Sequence, residues 1–224
     1  MADSENSSSL VYDEHEPLHA DEERANAITH AAAAIITLAA GAFLLKACYH
    51  QSLMTIFCCF VFVSSAIGVF VASALSHHWI SEPGLLRRLR AWDQGLIYSM
   101  IAGTYTPLIW RYVEDPYRMP LLFGMWIAAG VGFSSKVLVE HRVNSIGLTT
   151  YLLLGFVPAF WLFHKVPTGL LLWMVGGGAA YVFGVTFLMY DRRVKYLHVV
   201  WHLCVMVGAS LHFMGVYNYV ALTP

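Results

Sequence analysis

Seven long apolar stretches, separated by short polar segments, dominate the pattern of this chain. Most of them approach the roughly 20 residues that a helix needs to cross a bilayer, although the fourth is short unless it extends to residue 139. The chain lacks the strict alternation of apolar and polar residues that is typical of half-buried strands. The pattern therefore predicts an all-α polytopic membrane protein, a seven-transmembrane helix bundle, with helices over residues 27–45, 53–79, 92–110, 120–133, 146–163, 168–190 and 197–220.

The polar segments between these stretches set the expected domain boundaries. The first 21 residues are acidic and polar and lack the basic and apolar regions of a signal peptide. We expect residues 1–21 to be a disordered acidic tail and residues 22–224 to form the seven-transmembrane domain. The segment SEPGLLRRLR, residues 81–90, is predicted to be a short basic loop between the second and third helices.

Composition supports the membrane assignment. Only 12% of the residues are charged and 58% are hydrophobic, whereas about 25% of an average soluble domain is charged. The formal net charge of -1 gives no reason to expect binding to nucleic acid. The cysteines all lie in or beside apolar stretches, which favours core positions over a disulfide framework: Cys48, Cys58, Cys59 and Cys204.

The basic residues predict the orientation. With seven helices, nine Lys and Arg residues fall on the side of the N-terminus and four on the other: Arg24, Arg87, Arg88, Arg90, Lys136, Arg142, Arg192, Arg193 and Lys195 against Lys46, Arg111, Arg118 and Lys165. Because cytosolic segments carry the excess of basic residues, the N-terminus is predicted to be cytosolic and the C-terminus external. We expect the protein to lie in the plasma (inner) membrane.

Small residues recur every four positions in the sixth stretch, at Gly176, Ala180 and Gly184. Such a face lets helix backbones approach closely. We expect it to pack against another helix of the same bundle; the sequence leaves the oligomeric state open.

The seventh stretch carries the clearest chemical signal. His198 and His202 are four residues apart, so a helix places both rings on one face, one turn apart. Imidazole is costly in a membrane-length apolar segment, and such a residue usually faces the bundle interior with a partner. Two imidazoles aimed at one point suit a zinc ion. A haem reading, which would pair His198 with His212, is disfavoured because no other helix offers matching histidines.

The predicted topology brings further polar residues to the same, cytosolic end of the bundle. The residues that interrupt apolar stretches near this end are His30, Ser73, His77, Asp93, His198 and His202. Three neutral imidazoles with an open fourth position describe a catalytic type of zinc site. A zinc ion can lower the pKa of a bound water to about 7. Asp93 could accept a proton from that water, and Ser73 could hydrogen-bond it or a substrate carbonyl.

Alternatives stay open at this point. His30 or Asp93 could fill the fourth position directly, which would make the zinc structural. Asp93 could instead be a carboxylate at a helix N-terminus, favoured by the helix dipole. For Asn26 and His30, local hydrogen bonds at the start of the first helix are the simpler expectation.

The chain resembles the hemolysin III family, the bacterial branch of the progestin and adipoQ receptor family, which in turn looks like the alkaline ceramidases. The matching stretches are spread from residue 22 to residue 212: EERANAITH at 22–30, SALSH at 73–77, DQGLIYSMIAGTYTP at 93–107 and HVVWH at 198–202. The resemblance implies a seven-helix bundle with a cytosolic N-terminus. It also implies a zinc held by His77, His198 and His202, with Ser73 and Asp93 beside the metal and its water.

The sequence supports three functional hypotheses. In the first, the protein is a zinc-dependent hydrolase that acts on a lipid amide or ester, ceramide-like, within the bilayer. In the second, it is a non-enzymatic membrane protein in which a structural zinc supports sensing or regulation of lipid state. Cytolysis, which the family name suggests, is a third reading, although the sequence contains no amphipathic pore-forming segment that would support it.

Overall fold

The computed structural model describes residues 17–138 and 144–223. Within these ranges the chain forms seven α-helices and no strand, which confirms the predicted all-α architecture. The helices are α1 (Ala20–Ala47), α2 (Leu53–His78), α3 (Pro83–Tyr112), α4 (Arg118–Val137), α5 (Asn144–Leu162), α6 (Thr168–Leu188) and α7 (Leu197–Val216), the last followed by a π-helical turn, Tyr217–Ala221.

Five of these helices, in the part of the chain that the structure describes, are long and apolar enough to cross a membrane: α1, α2, α4, α6 and α7. The apolar part of α5, Gly147–Leu162, is shorter. The 30-residue helix α3 is long enough to cross but carries arginine, aspartate and several hydroxyl residues. These properties are those of a polytopic integral membrane protein.

Helix α3 starts earlier than expected, and the prediction of a basic loop over residues 81–90 is wrong from Pro83 onwards. Pro83 occupies the first turn of α3, where proline is pre-organised for a helix and its missing N–H costs nothing. Asp93 consequently lies in the interior of the helix, so the alternative that treated it as a helix N-terminal charge is also wrong.

Helix α1 likewise extends beyond its apolar stretch. It begins at Ala20, whereas the apolar stretch begins at residue 27. Most of the tail predicted for residues 1–21 lies outside the described residues. The early start places Glu22, Glu23 and Asn26 within the first two turns of α1, and all three are buried.

The helices pack so that α2 contacts α1 and α3, while α7 contacts α6 and α1. Two hydrophobic clusters fill the interior. The smaller one, which includes Phe70, Met100 and Val205, adjoins the end of the bundle where the predicted polar residues meet. Cys48, Cys58 and Cys59 are buried with free thiols, as predicted, whereas Cys204 is only partly buried.

Glycine allows α6 and α7 to approach closely. A Cβ added at Gly184 would lie 2.7 Å from Cβ of Cys204, and one added at Gly177 would lie 2.5 Å from Nε2 of His212. Gly184 therefore serves the predicted close packing. Gly176 does not, because its contact with Leu211 is an ordinary one at 3.6 Å.

Candidate metal centre

Three histidines from two helices converge at one end of the bundle. His77 lies in the last turn of α2, and His198 and His202 lie in the first turns of α7. Each offers one ring nitrogen such that the three atoms lie within 4.8 Å of one another, a group that could hold a metal ion. His77 and His202 are buried, and His198 is partly buried. The structure thus brings together the three histidines singled out in the sequence.

The Nδ1 atom of each of these rings already has a hydrogen-bond partner. His77 Nδ1 lies 2.5 Å from Oε2 of Glu23, and His198 Nδ1 lies 2.7 Å from Oδ2 of Asp191. His202 Nδ1 lies 3.2 Å from the hydroxyl oxygen of Thr29.

These partners favour the tautomer in which Nδ1 carries the proton. The carboxylates of Glu23 and Asp191 are hydrogen-bond acceptors. When the hydroxyl proton of Thr29 is donated to the carbonyl oxygen of Asn26, at 2.9 Å, Thr29 accepts from His202. In this arrangement all three rings donate through Nδ1–H, which leaves the Nε2 lone pair of each available. Hydrogen-bonded imidazoles with one available nitrogen are what a metal site requires of its ligands.

Glu23 connects three helices through one buried carboxylate. Its side chain is 1% exposed. Besides the contact with His77, its Oε1 accepts from Nη2 of Arg90 at 2.7 Å and from the backbone N–H of Leu18 at 2.6 Å. The charge is thus paired and hydrogen-bonded, as a buried carboxylate must be. No role was predicted for Glu23, although an ionisable residue that faces the interior of a membrane bundle is a recognisable signal of a functional site.

The first turn of α1 also holds the segment that precedes α7. Oε1 of Glu22 accepts from the backbone N–H of Tyr196 at 2.5 Å, and Tyr196 has a left-handed backbone conformation with φ of 67°. Asp21 binds Lys195 at 2.6 Å, and this hydrogen bond raises the pKa of the Lys195 ammonium group. Because Tyr196 is the residue before α7, these contacts fix the start of the helix that carries His198.

Asp93 of α3 lies beside the histidine group but is not a member of it. Its Oδ2 accepts from the hydroxyl of Ser76 at 3.1 Å, and the side chain of Ser73 lies in range of the same carboxylate. Ser73 was predicted to belong to the site, whereas Ser76, which directly precedes His77, was not predicted. The signal for Ser76 was its position three residues after Ser73. Its one hydroxyl proton is shared between Asp93 Oδ2 and the carbonyl oxygen of Ser73, which lies 2.9 Å from the hydroxyl oxygen.

The expectation that Asn26 and His30 form local hydrogen bonds at the start of the first helix is wrong. The ring of His30 stacks on that of His202, with centroids 3.5 Å apart and an interplanar angle of 11°. Among the described residues, no polar side-chain atom of Asn26 or His30 has a hydrogen-bond partner. The early start of α1 explains the difference, because both residues lie inside the helix. His30 is also not part of the group that could bind a metal.

An apolar groove of about 470 Å³ runs between α2 and α3 near this site. Its lining includes Gly68, Ala72, Leu75, Leu89, Trp92 and Leu96. Asp93 is not itself part of this lining, but Trp92, the residue before it in α3, is. The groove therefore passes within one helical turn of Asp93 along α3.

The sequence matches one family model and several known proteins of the same family over most of its length. The family model described as Haemolysin-III related matches residues 18–213. The chain is 29% identical to Hemolysin-3 of Bacillus cereus, over 90% of this chain and 93% of that protein. It is 28% identical to the Hemolysin-3 homolog of Bacillus subtilis (strain 168), over 91% and 96% of the two chains. It is also 28% identical to the human Monocyte to macrophage differentiation factor, over 59% of this chain and 56% of that protein.

Replacement of Arg90 tests the role of the buried carboxylate. Arg90→Met should destabilise the fold by about 3–5 kcal/mol, because it leaves Glu23 buried without the guanidinium that neutralises it. Arg88→Met, two positions away on the exposed face of α3, should change the free energy of unfolding by less than about 0.5 kcal/mol. Denaturant unfolding of both variants in detergent micelles measures the difference, and equal losses of stability would contradict this role for Glu23.

Proposed function

Since the chain belongs to the haemolysin-III related family, within the wider progestin and adipoQ receptor family, we propose that this membrane protein is a zinc-dependent hydrolase. Its substrate is a membrane lipid with an amide or ester bond, of the ceramide type. The observation that carries the proposal is the group formed by His77, His198 and His202, in which one ring nitrogen of each lies within 4.8 Å of the other two.

The donor set favours zinc. Imidazole is a preferred zinc ligand, and three protein ligands with one further position characterise catalytic zinc sites. When bound, zinc would supply a Lewis acid and an activated water at neutral pH. His77, His198 and His202 would hold it, and Glu23, Asp191 and Thr29 would orient the rings through Nδ1.

Asp93 is the proposed proton carrier. Hydrolysis adds the hydroxyl of water to the acyl carbon, breaks the carbon–nitrogen or carbon–oxygen bond, and transfers the remaining proton to the leaving amine or alcohol. The Asp93 carboxylate can accept the proton from water and return it to the leaving group. Ser76 fixes one carboxylate oxygen, and Ser73 would hold water or the substrate carbonyl.

A lipid substrate is favoured by the surroundings of the site. The groove between α2 and α3 is lined by apolar side chains that include Trp92, the residue before Asp93, so an acyl chain in the groove would lie within one helical turn of the carboxylate. Such a substrate can reach the site from within the bilayer, without passing through water.

Metal content tests the ligand assignment. Purified protein should contain about one zinc per chain, and His202→Ala should lose most of it, because one of three protein ligands is gone. Thr29→Val removes the acceptor for His202 Nδ1 together with the hydrogen bond to the carbonyl oxygen of Asn26, and should weaken zinc binding by about 10–100-fold.

Thr186→Val is the matched control for Thr29→Val. Thr186 makes the same hydrogen bond to the carbonyl three residues earlier, at 2.6 Å, but on an exposed face of α6. Elemental analysis measures the zinc content, and competition with a zinc chelator measures the affinity for zinc. Full zinc retention in His202→Ala would rule out the site.

Substitution of Asp93 separates a catalytic zinc from a structural one. Asp93→Asn should keep zinc and fold, since an amide oxygen can still accept from Ser76, yet abolish hydrolysis because an amide cannot accept the proton. Asp115→Asn, at a side chain that is 71% exposed, is the control. Mass spectrometry of ceramide incubated with each protein measures turnover. Unchanged turnover in Asp93→Asn would favour the structural role of zinc.

The proposed orientation places the site in the cytosolic leaflet. It rests on the excess of basic residues on the side of the N-terminus. In a background without native cysteines, Ser7→Cys should resist a membrane-impermeant thiol reagent applied to intact cells, while Thr223→Cys should react. Labelling at position 7 from outside would reverse the orientation and the leaflet.

A further inference from the structure

The groove between α2 and α3 has the length of one leaflet of a bilayer. Its lining extends from Ser64 to Leu75 on α2 and from Leu89 to Leu96 on α3. At 1.5 Å per residue, the wall on α2 is about 16 Å long, which is close to half of the roughly 30 Å hydrocarbon core. Apart from Ser64, the lining side chains are apolar or aromatic. The groove therefore matches one acyl chain of a lipid in a single leaflet.

The middle of the groove is open space. Gly68 of α2 is part of the lining, and a Cβ added there would meet no atom within 4 Å. Gly95 of α3 is different, because a Cβ added to it would lie 2.9 Å from Cδ2 of Phe133 in α4. Gly95 is thus a packing glycine, whereas Gly68 leaves room for a ligand.

A free cation lies just beyond the end of the groove where α2 stops and α3 begins. Arg88 directly precedes Leu89, the lining residue of α3 nearest to this end. Arg88 is exposed and forms no ion pair with any residue that the structure describes. On the other wall, the exposed imidazole of His78 follows the lining residue Leu75 by less than one turn of α2. Both side chains can donate hydrogen bonds to an anion.

Two tryptophans indicate the level of the lipid headgroups at this end. Trp79 is 45% exposed and Trp92 is 48% exposed. Trp92 lines the groove, and Trp79 contacts the ring of His78 at a centroid distance of 5.2 Å. Tryptophan is enriched at membrane–water interfaces, where its ring lies among the headgroups. Because Arg88 is one turn nearer to the helix start than Trp92, its guanidinium lies at the level of lipid phosphates.

These features identify the ligand by its chemistry. The fork of a guanidinium fits a phosphate group through two hydrogen bonds, and basic pockets at the ends of membrane helices bind anionic headgroups. We propose that the groove and Arg88 form a binding site for an anionic glycerophospholipid. One acyl chain lies along α2 and α3, and the phosphate binds Arg88 with a further hydrogen bond from His78.

The site also has a consequence for the proposed hydrolase. The substrate acyl chain was assigned to the same groove, so a bound anionic lipid would compete with ceramide. This competition rests on the proposed function, whereas the binding of the anionic lipid does not.

Photocrosslinking of the full chain in phosphatidylcholine nanodiscs tests the site. The probe is a trace of phosphatidylglycerol with a diazirine in one acyl chain, and phosphatidylcholine with the same chain is the reference. Mass spectrometry locates the crosslinks. The anionic probe should label the groove residues several-fold more than the reference, whereas both should label Leu172, a 69% exposed residue of α6, equally. Equal labelling of the groove by the two probes would overturn the proposal.

Arg88→Gln and Arg87→Gln form a matched pair, because both remove one exposed charge from the same turn of α3. At about 100° per residue, Arg88 lies about 40° around the helix from Trp92 and Arg87 about 140°. Arg88→Gln should lower labelling by the anionic probe to that of the reference, and Arg87→Gln should leave it unchanged. Equal losses would show an effect of net surface charge alone, which overturns the site.

Gly68→Leu tests the position of the acyl chain. The new side chain starts in open space and should lower labelling of the groove by both probes several-fold. Gly124→Leu is the control, since Gly124 is exposed on α4 and a Cβ added there also meets no atom within 4 Å. Unchanged labelling in Gly68→Leu would place the chain elsewhere and contradict the proposal.

Ceramide turnover in the same samples separates this proposal from the proposed function. Preferential labelling by phosphatidylglycerol without hydrolysis would support the lipid site and contradict the hydrolase. Hydrolysis without preferential labelling would contradict the lipid site alone. If both hold, phosphatidylglycerol should slow ceramide hydrolysis several-fold in the unmodified protein and less in Arg88→Gln.

Discussion

The buried carboxylate of Glu23 is the interaction on which the rest of the site depends. It joins Arg90 of α3 to His77 of α2 from the first turn of α1. A carboxylate that is 1% exposed would be strongly unfavourable without these partners. Their presence fixes the relative positions of three helices at one end of the bundle. The neighbouring Glu22 extends this arrangement to α7 through the backbone N–H of Tyr196, so four helices are held around one group of histidines.

Much of this arrangement was predictable from the sequence. His198 and His202 stand out because histidines at helical spacing are rare in an apolar stretch, and the topology was sufficient to bring His77 to the same end. Their hydrogen-bond partners were not predictable. Glu23 is 54 residues from His77, and Thr29 is 173 residues from His202. Such contacts depend on how the helices are rotated and packed against one another. The spacing of residues along a single helix does not determine this packing.

The errors in the predicted elements have one physical origin. Helices α1 and α3 were expected to begin where their apolar stretches begin. Both helices start earlier in the chain, among charged residues. Arg90 and Glu23 satisfy each other inside the bundle, so these charges occur in buried helical turns. The early start of α3 also explains why Asp93 is not at a helix N-terminus. It is an interior helical residue beside the histidines. Because α1 starts early, Asn26 and His30 also lie within the helix and are buried, although they were expected at the helix start.

The central claim is that three imidazoles, each oriented by a hydrogen bond at Nδ1, hold a zinc ion whose fourth ligand is an oxygen, and neither a fourth histidine nor a cysteine. Zinc K-edge X-ray absorption of the purified full chain tests this most directly, because it counts imidazole ligands and distinguishes oxygen from sulfur. The account predicts three imidazoles and one oxygen, with ligand distances of about 2.0–2.2 Å. A fourth imidazole, a sulfur ligand at about 2.3 Å, or a protein that binds no zinc would contradict it.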